Sequence, residues 1–340
     1  MILLTGGAGY IGAVTVRELL DRGFAVRVLD KFLYGDYPLD VVRNQVEVVE
    51  GDICDFDDAV LEDINGVIHL AALSNDPTAE FNPEASRKIN TNATRTVAEA
   101  CKRKGVGRFV FASSCSVYDR GLMAEDFVQD EESPLEPRAA YATSKFEAER
   151  ILLDMADDAF HPTLLRQGTV YGWSPRMRYD LVVNTFIKSA LTTGQLTVHC
   201  GGEMWRPLVD VTDCAKCYLA CLEADPKAIS GQVFNLSYRN FRILELAHRV
   251  KKALEEFIEV DIQVEYGSQI GRSYRVSTRK LEQAIGFRCH VSVEDSTADM
   301  VRRILAGDAA DFDNPKYYNI RWLEMLVEMR DHLNRIGSIF

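Results

Sequence analysis

Apolar runs and amphipathic stretches alternate along much of the chain. Short apolar runs at 46–50, 67–71, 109–113, 163–166 and 233–236 have the length and composition of buried strands. Stretches with apolar residues three or four positions apart, such as 85–104 and 141–155, predict helices between them. Strands separated by helices require right-handed crossovers and a parallel sheet that is covered on both faces. The pattern therefore predicts an α/β fold built on a doubly wound parallel sheet.

The regular alternation ends after residue 166. Helices are predicted at 181–193, 244–256 and 293–305, but irregular segments separate them. We therefore expect a first domain over 1–166 and a smaller lobe over 167–340, with 232–237 returning as a strand of the first domain's sheet. In the final segment, 308–340, a helix carries Ile320, Leu323, Val327 and Leu333 on one side. That side packs on its own domain or against a second subunit.

A glycine-rich turn follows the first apolar run. The residues Thr5-Gly6-Gly7-Ala8-Gly9-Tyr10-Ile11-Gly12 fit both Gly6-x-x-Gly9-x-x-Gly12 and Gly7-x-Gly9-x-x-Gly12, and a helix pattern begins at once. Glycines at this spacing permit a tight turn and a close backbone approach, and the N–H groups at the helix start face an anion. The turn predicts a pyrophosphate cradle, which makes 1–166 a dinucleotide-binding domain of the Rossmann type.

An acidic residue stands at the end of the second strand pattern. Asp30 comes eighteen residues after Gly12, where a carboxylate accepts hydrogen bonds from an adenosine ribose. A carboxylate repels the 2′-phosphate of NADP and no arginine stands beside it, although Lys31 is the next residue. We therefore predict NAD as the cofactor.

Composition narrows the possible partners. The net charge of −12 argues against nucleic acid or an anionic membrane surface as a partner, so an anionic ligand needs local positive groups. No apolar run is long enough to cross a membrane, and the strand pattern begins at Met1, so we expect a cytoplasmic protein. Cys214-x-x-Cys217 has half the spacing of a zinc site, but no second pair follows. Together with Cys221 these residues share one helical face, which favours buried thiols and no metal.

Three polar residues could oxidise an alcohol. Ser114 ends a strand pattern, and Tyr141 and Lys145 lie one helical turn apart. A phenol becomes a base at neutral pH only if its pKa falls by about 3 units, and an adjacent ammonium and an oxidised nicotinamide both favour the phenolate. Tyr141 would then take the proton of a hydroxyl that Ser114 holds, while Lys145 also binds the nicotinamide ribose.

These motifs resemble those of the extended short-chain dehydrogenase/reductases, and among them the nucleotide-sugar epimerases and dehydratases. The resemblance covers nearly the whole chain and also includes Asp52-Ile53, His69-Leu70-Ala71-Ala72 and Asn90. It implies that Asp52 and Ile53 lie near the adenine and that the backbone at Ala71 and Ala72 lines the cofactor. The cofactor-binding residues so implied are Gly6, Gly9, Tyr10, Ile11, Gly12, Asp30, Lys31, Asp52, Ile53, Leu70, Ala71, Ala72, Asn90, Tyr141 and Lys145.

The resemblance also bears on the reaction. Dehydratases of the family carry an Asp-Glu pair after the catalytic Ser or Thr, whereas this chain has Cys115 and Ser116, small residues like those of the 4-epimerases. The family implies catalysis by Ser114, Tyr141 and Lys145, and we expect substrate contacts from Ser74, Asn75, Ser114, Cys115, Ser116, Thr169, Arg206 and Arg272. Two arginines would clamp a substrate diphosphate. Thr169 stands where 4-epimerases usually have Asn, which leaves the sugar open.

The expected function is a homodimeric NAD-dependent nucleotide-sugar epimerase that acts at C4. A 4-ketoreductase or dehydrogenase that uses the same three residues once per turnover is the alternative within the family. A redox-sensing regulator that kept the nucleotide fold without catalysis is a third possibility, which the presence of Tyr141 and Lys145 disfavours.

Overall fold

The computed structural model describes residues 1–118, 127–267 and 272–337. Its strands are β1 (Ile2–Thr5), β2 (Val26–Asp30), β3 (Glu47–Glu50), β4 (Gly66–His69), β5 (Arg108–Ser114), β6 (Val128–Gln129), β7 (His161–Gln167), β8 (Thr169–Tyr171), β9 (Gln195–Val198), β10 (Trp205–Asp210), β11 (Gln232–Leu236), β12 (Arg239–Arg242), β13 (Asp261–Val264) and β14 (Arg275–Val276). Its α-helices are α1 (Tyr10–Asp21), α2 (Asp76–Phe81), α3 (Pro83–Ser86), α4 (Ala93–Lys104), α5 (Ala140–Asp154), α6 (Val182–Thr193), α7 (Val211–Glu223), α8 (Pro226–Ile229), α9 (Ile243–Leu254), α10 (Arg279–Ile285), α11 (Val293–Leu305) and α12 (Asn319–Ile336).

A parallel sheet forms the centre of the molecule. Over the described ranges it has seven strands in the order β11-β7-β5-β4-β1-β2-β3, and every neighbouring pair is parallel. The chain runs outwards in both directions from the neighbours β1 and β4, so their carboxyl ends open the crevice in which such sheets bind ligands. The predicted doubly wound α/β fold is confirmed, and each strand run predicted above lies within two residues of an observed strand.

Helices cover both faces of this sheet. On one face α1 and α7 pack together, and the apolar residues of α1, among them Val16 and Leu19, are buried in a core shared with α7. Cys214, Cys217 and Cys221 of α7 are fully buried in the same core as free thiols, as the one-faced spacing predicted. On the other face α4 and α5 bury a second apolar core.

The helix predicted over 85–104 is interrupted. It consists of α3, a π-helical segment at Arg87–Asn92, and α4. A π turn holds one more residue than an α turn and often marks a functional position. Here it carries Asn90, whose amide accepts a hydrogen bond from Leu73 N at 2.8 Å and donates to Ser144 Oγ at 3.0 Å. The π segment therefore joins the loop after β4 to α5.

The C-terminal half supplies both a strand of the main sheet and a cover for its carboxyl edge. Strand β11 pairs with β7, whereas β12, β10 and β8 form a separate small sheet. Of the four residues predicted to share one side of the final helix, Ile320, Leu323 and Val327 are half-buried, whereas Leu333 is exposed on α12. Residues 338–340 of that segment lie outside the described residues. Within the described part of the chain, no helix has the length and apolarity needed to cross a membrane.

Candidate active site

The glycine turn connects β1 directly to α1. Gly6 has φ +75°, and a Cβ there would lie 2.7 Å from the backbone nitrogen of Ala71, so only glycine fits without movement. A Cβ on Gly12 would collide with the carbonyl oxygen of Gly6. Gly9 is the N-cap of α1, and the first turn contains no acidic side chain that would compete for the helix N–H groups. These features fit a bound pyrophosphate.

A pocket of about 160 Å³, which we call the nucleoside pocket, lies beside this turn. Asp30 stands at its edge, and its carboxylate accepts hydrogen bonds from Ala8 N at 2.9 Å and Phe32 N at 2.8 Å. Lys31 Nζ donates to Asp52 Oδ2 at 2.7 Å across the same pocket. The predicted cofactor residues that line this pocket are Gly6, Gly9, Asp30, Lys31, Asp52, Ile53, Leu70, Ala71 and Ala72. The arrangement suits the adenosine part of a dinucleotide.

A second cavity, of about 400 Å³, which we call the large cavity, is lined by the predicted catalytic residues. Ser114 lies at the end of β5, and Tyr141 and Lys145 lie on the first turns of α5. The Ser114 side chain lies near enough to Tyr141 to lower its pKa, and Lys145 Nζ donates to the carbonyl of Ala112 at 2.8 Å. The glycine turn lines the same cavity. The structure therefore brings the three residues together within reach of the pyrophosphate cradle.

The protonation of these residues depends on burial. Burial raises the pKa of Tyr141 to about 12 and the carboxylate of Asp76 adds to this, whereas Arg178, the hydroxyl of Ser114 and Arg272 oppose it. Burial lowers the pKa of Lys145 to about 7, against the effect of Glu149. The positive charges that favour the phenolate of Tyr141 in this structure are thus two arginines of the cavity, Arg178 and Arg272, whereas the sequence suggested Lys145.

A buried ion pair supports the catalytic edge from behind. Glu149, one helical turn after Lys145, accepts hydrogen bonds from Arg166 at 2.7 and 2.9 Å, and both side chains are almost fully buried. Ser113 Oγ also donates to Glu149, and Arg166 donates to the hydroxyl of Tyr118 at 2.8 Å. These bonds fix α5 against the ends of β5 and β7, so they hold the catalytic residues in register.

The predicted substrate residues separate into two groups. The structure places Ser74, Asn75, Ser114, Ser116, Thr169 and Arg272 on the lining of the large cavity. Cys115 differs from the expectation, because its thiol is fully buried and donates to the carbonyl of Arg166 at 2.9 Å. Arg206 also lies off the lining: its guanidinium bonds the carbonyls of Trp205 and Arg272.

Asn90 and Arg272 also differ in detail from the expectation. Asn90 is fully buried and acts on the cofactor pocket through the loop at Leu73. Arg272 lines the cavity, but its guanidinium forms an ion pair with Asp76. The predicted two-arginine clamp is therefore one arginine on the lining, with a second behind it.

Several lining residues were missed by the sequence analysis. Arg178 and Asp180 form a bidentate ion pair with both distances at 2.9 Å, and Arg176 lies next to them. The charged residues at every second position over 176–180, in the pattern Arg-x-Arg-x-Asp, are a signal that the sequence analysis did not use. Asn319 on α12 had no such signal, because nothing near it in the sequence points to a cavity. The lining residues that the sequence analysis did not name include Tyr34, Asp76, Arg176, Arg178, Asp180 and Asn319.

Comparison with known proteins agrees with this geometry. The family model described as the NAD dependent epimerase/dehydratase family matches residues 2–237. A dTDP-glucose 4,6-dehydratase from Streptomyces niveus is 29% identical over 321 residues, covering 88% of this chain and 91% of that protein. A UDP-N-acetyl-alpha-D-glucosaminuronate decarboxylase from Bacillus cytotoxicus is 26% identical over 318 residues, covering 88% and 96%.

Solved structures have the same fold. A UDP-glucose 4-epimerase from Thermotoga maritima, determined with UDP-glucose, superposes with a TM-score of 0.77 at 25% identity, covering 89% of this chain and 99% of that one. Other solved structures of similar fold contain NAD together with a UDP sugar. The similar proteins are named for three different reactions, a dehydration, a decarboxylation and an epimerisation.

Proposed function

Because this chain belongs to the NAD dependent epimerase/dehydratase family, we propose that it is a nucleotide-sugar epimerase that inverts C4 through a 4-keto sugar. Family members are NAD-dependent enzymes that act on nucleotide sugars. The proposal within the family concerns the reaction, the position on the sugar and the residues that carry it. A nucleoside diphosphate sugar is the proposed substrate, and a homodimer stays a prediction.

One observation carries the choice of epimerisation. The carboxylates that line the large cavity, among the described residues, are Asp76 and Asp180, and each is in an ion pair, with Arg272 and with Arg178. Elimination of water needs an acid and a base at neighbouring sugar carbons, and carboxylates fixed in ion pairs are poor candidates for both. Tyr141 is then the proton-transfer group, which suits a reaction that removes and returns hydrogen at one carbon.

The residues divide the work as follows. Ser114 holds the C4 hydroxyl, and Tyr141, as phenolate, takes its proton and later returns it to the carbonyl oxygen. Lys145, which the Ala112 carbonyl orients, would bind the nicotinamide ribose. NAD, when bound, supplies a hydride acceptor and a positive charge that favours the phenolate. Arg178 and Arg272 act in the same direction on Tyr141.

The test is a screen of UDP-, dTDP-, GDP- and CDP-sugars with the purified protein and no added cofactor. We expect two sugars of equal mass to interconvert with no net change in the absorbance of reduced nicotinamide. Tyr141→Phe should lower the rate about 10²- to 10⁴-fold, since it removes the proton-transfer group. Tyr266→Phe, at a tyrosine that is 86% exposed, is the matched control and should leave the rate unchanged.

Other products would contradict the proposal in identifiable ways. Stoichiometric consumption of NADH or NADPH would identify a ketoreductase. Loss of the mass of water would identify a dehydratase, and release of carbon dioxide a decarboxylase. Full activity of Tyr141→Phe would remove Tyr141 from the mechanism whatever the product.

A further inference from the structure

Arg176 is a buried guanidinium that lacks a carboxylate of its own. The residue is 2% exposed and lines the large cavity. Its terminal nitrogen donates to Asn319 Oδ1 at 2.6 Å, its Cζ lies 3.8 Å from the ring centroid of Tyr34, and its Nε has no hydrogen-bond partner. In the part of the chain that the structure describes, the neighbouring carboxylate of Asp180 is already occupied by Arg178. A buried charge without a counter-ion is unfavourable, so this site favours an anionic ligand.

The position of Arg176 indicates which anion it faces. The segment just before it is tied to the start of α1, because the Tyr10 hydroxyl donates to Gly172 O at 2.6 Å and Ser174 Oγ donates to Tyr10 O at 2.6 Å. Tyr34, on which Arg176 stacks, lines both the nucleoside pocket and the large cavity. The guanidinium thus lies on the wall that faces the glycine turn.

The effect of Arg176 on Asp30 also indicates that Arg176 lies on the side of the nucleoside pocket. Burial raises the pKa of Asp30, and the charge of Arg176 is among the groups that lower it. Arg176 is therefore close enough to act on the carboxylate that marks the adenosine ribose. A dinucleotide's phosphates extend from the ribose bound at that carboxylate to the start of α1. By contrast, Arg206 and Arg272 approach the cavity beside Tyr274, near the catalytic tyrosine.

The start of α12, with the two residues before it, holds Arg176 in place. Residues 317–322, which we call the clasp, contact three loops of the site. Tyr179 N donates to Tyr317 O at 3.0 Å, Asn319 Nδ2 donates to Ser74 Oγ at 2.8 Å, and Trp322 Nε1 donates to Leu33 O at 2.6 Å. The clasp therefore spans the loops after β2 and β4 and fixes the guanidinium between them.

We propose that Arg176 binds the pyrophosphate of NAD from the side opposite the glycine turn, and that the clasp holds it there and encloses the cofactor. The inference rests on the family's cofactor and not on the reaction, so it stands or falls separately from epimerisation. It predicts that NAD leaves slowly, because Arg176, Asn319 and Trp322 must separate from the loops before the phosphates are free.

The test compares two ligands, of which only one carries the pyrophosphate. Displacement of fluorescent etheno-NAD by ADP-ribose and by adenosine is measured for the wild type, Arg176→Met and Arg303→Met. Arg303 is the matched control, since it also stacks on an aromatic ring, Trp173, at 4.3 Å, but lies outside both cofactor cavities. We expect Arg176→Met to weaken ADP-ribose about 10- to 100-fold and adenosine hardly at all. Arg303→Met should change neither.

Arg176→Lys is the control for the possibility that Arg176→Met is misfolded. It keeps the charge without the planar stack, so it should retain part of the preference for ADP-ribose over adenosine. Equal weakening of both ligands in Arg176→Met would show a structural role and overturn the proposal. So would an unchanged ADP-ribose affinity. If UDP binding, measured separately by calorimetry, is weakened instead, Arg176 contacts the substrate diphosphate and the proposal is overturned.

Discussion

The two walls of the active-site cavity bind by different means. The sheet wall, from the glycine turn to Ala72, offers backbone N–H groups and close backbone packing, and its side chains near the turn are small. The cover wall, from Arg176 to Asp180 and from Arg272 to Asn319, offers charged side chains that depend on one another. The sheet wall is therefore sensitive to atoms that are added, and the cover wall to charges and hydrogen bonds that are removed.

The largest effect on NAD binding is expected from adding one methyl group to the sheet wall. Gly12→Ala places a Cβ against the Gly6 carbonyl, so the turn must open and the cradle loses its shape. NAD binding should weaken about 100-fold, measured by calorimetry or by the NAD content of the purified protein. Gly267→Ala is the control, because a Cβ there meets no atom within 4 Å. Unchanged NAD binding in Gly12→Ala would show that the sheet wall tolerates added atoms.

Charge removal should be most severe where it leaves a buried partner. Glu149→Gln leaves the Arg166 guanidinium without a counter-ion behind the sheet wall, and the free energy of unfolding should fall by about 3 kcal/mol. Glu147→Gln, on the same helix but in a partly exposed pair with Arg87, should cost less than about 1 kcal/mol. Urea denaturation of both variants checks this. Equal losses would show that burial does not set the cost.

Acid should weaken the sheet wall through one histidine. His69 is buried between the hydroxyls of Thr5 and Thr94, at 2.8 and 3.0 Å, and burial lowers its pKa from 6.5 to about 3. Between these values the unfolded chain binds the proton and the folded chain does not, so stability falls as the pH drops from 6.5 towards 3. The contribution is on the order of 1 kcal/mol per pH unit.

Thermal unfolding across this pH range measures the effect of His69. A His69→Gln variant should lose this part of the acid slope, while His161→Gln, at a half-buried histidine on β7, should retain it. An identical slope in all three proteins would assign the acid sensitivity to other groups.

The smallest effect is expected at the outer end of the cover wall. Trp322→Phe keeps an aromatic side chain but removes the hydrogen bond to Leu33 O, which should cost about 1 kcal/mol of stability. NAD release should become a few times faster, measured by stopped-flow displacement. Trp205→Phe is the control, since Trp205 does not line either cofactor cavity. If Trp322→Phe releases NAD at the wild-type rate, the clasp does not enclose the cofactor.

The sheet wall could be predicted from the sequence because its parts are close together in it. The glycine turn and Asp30 lie within one strand-helix-strand unit, and Tyr141 and Lys145 share one helix, so spacing alone placed them. The orientation of Cys115 could not be predicted, because a short helical turn, Cys115–Tyr118, directs its thiol to β7. The π turn at Asn90 depends on contacts with Leu73 and Ser144 that no helical periodicity reveals.

The cover wall could not be predicted for a related reason. Arg176 meets Asn319 across 143 positions, and Arg272 meets Asp76 across 196. Such pairs depend on how the lobe docks on the sheet, which a single sequence does not specify. The ion pair between Arg272 and Asp76 also replaced the simple anion clamp expected from two arginines.

The clasp is also the part of the site that is synthesised last. The glycine turn, Asp30 and the backbone at Ala72 have all left the ribosome long before residue 319 is added. The hydrogen bonds from Arg176 to Asn319 and from Trp322 to Leu33 can therefore form only after the rest of the site has been synthesised, so the clasp completes the cover wall last.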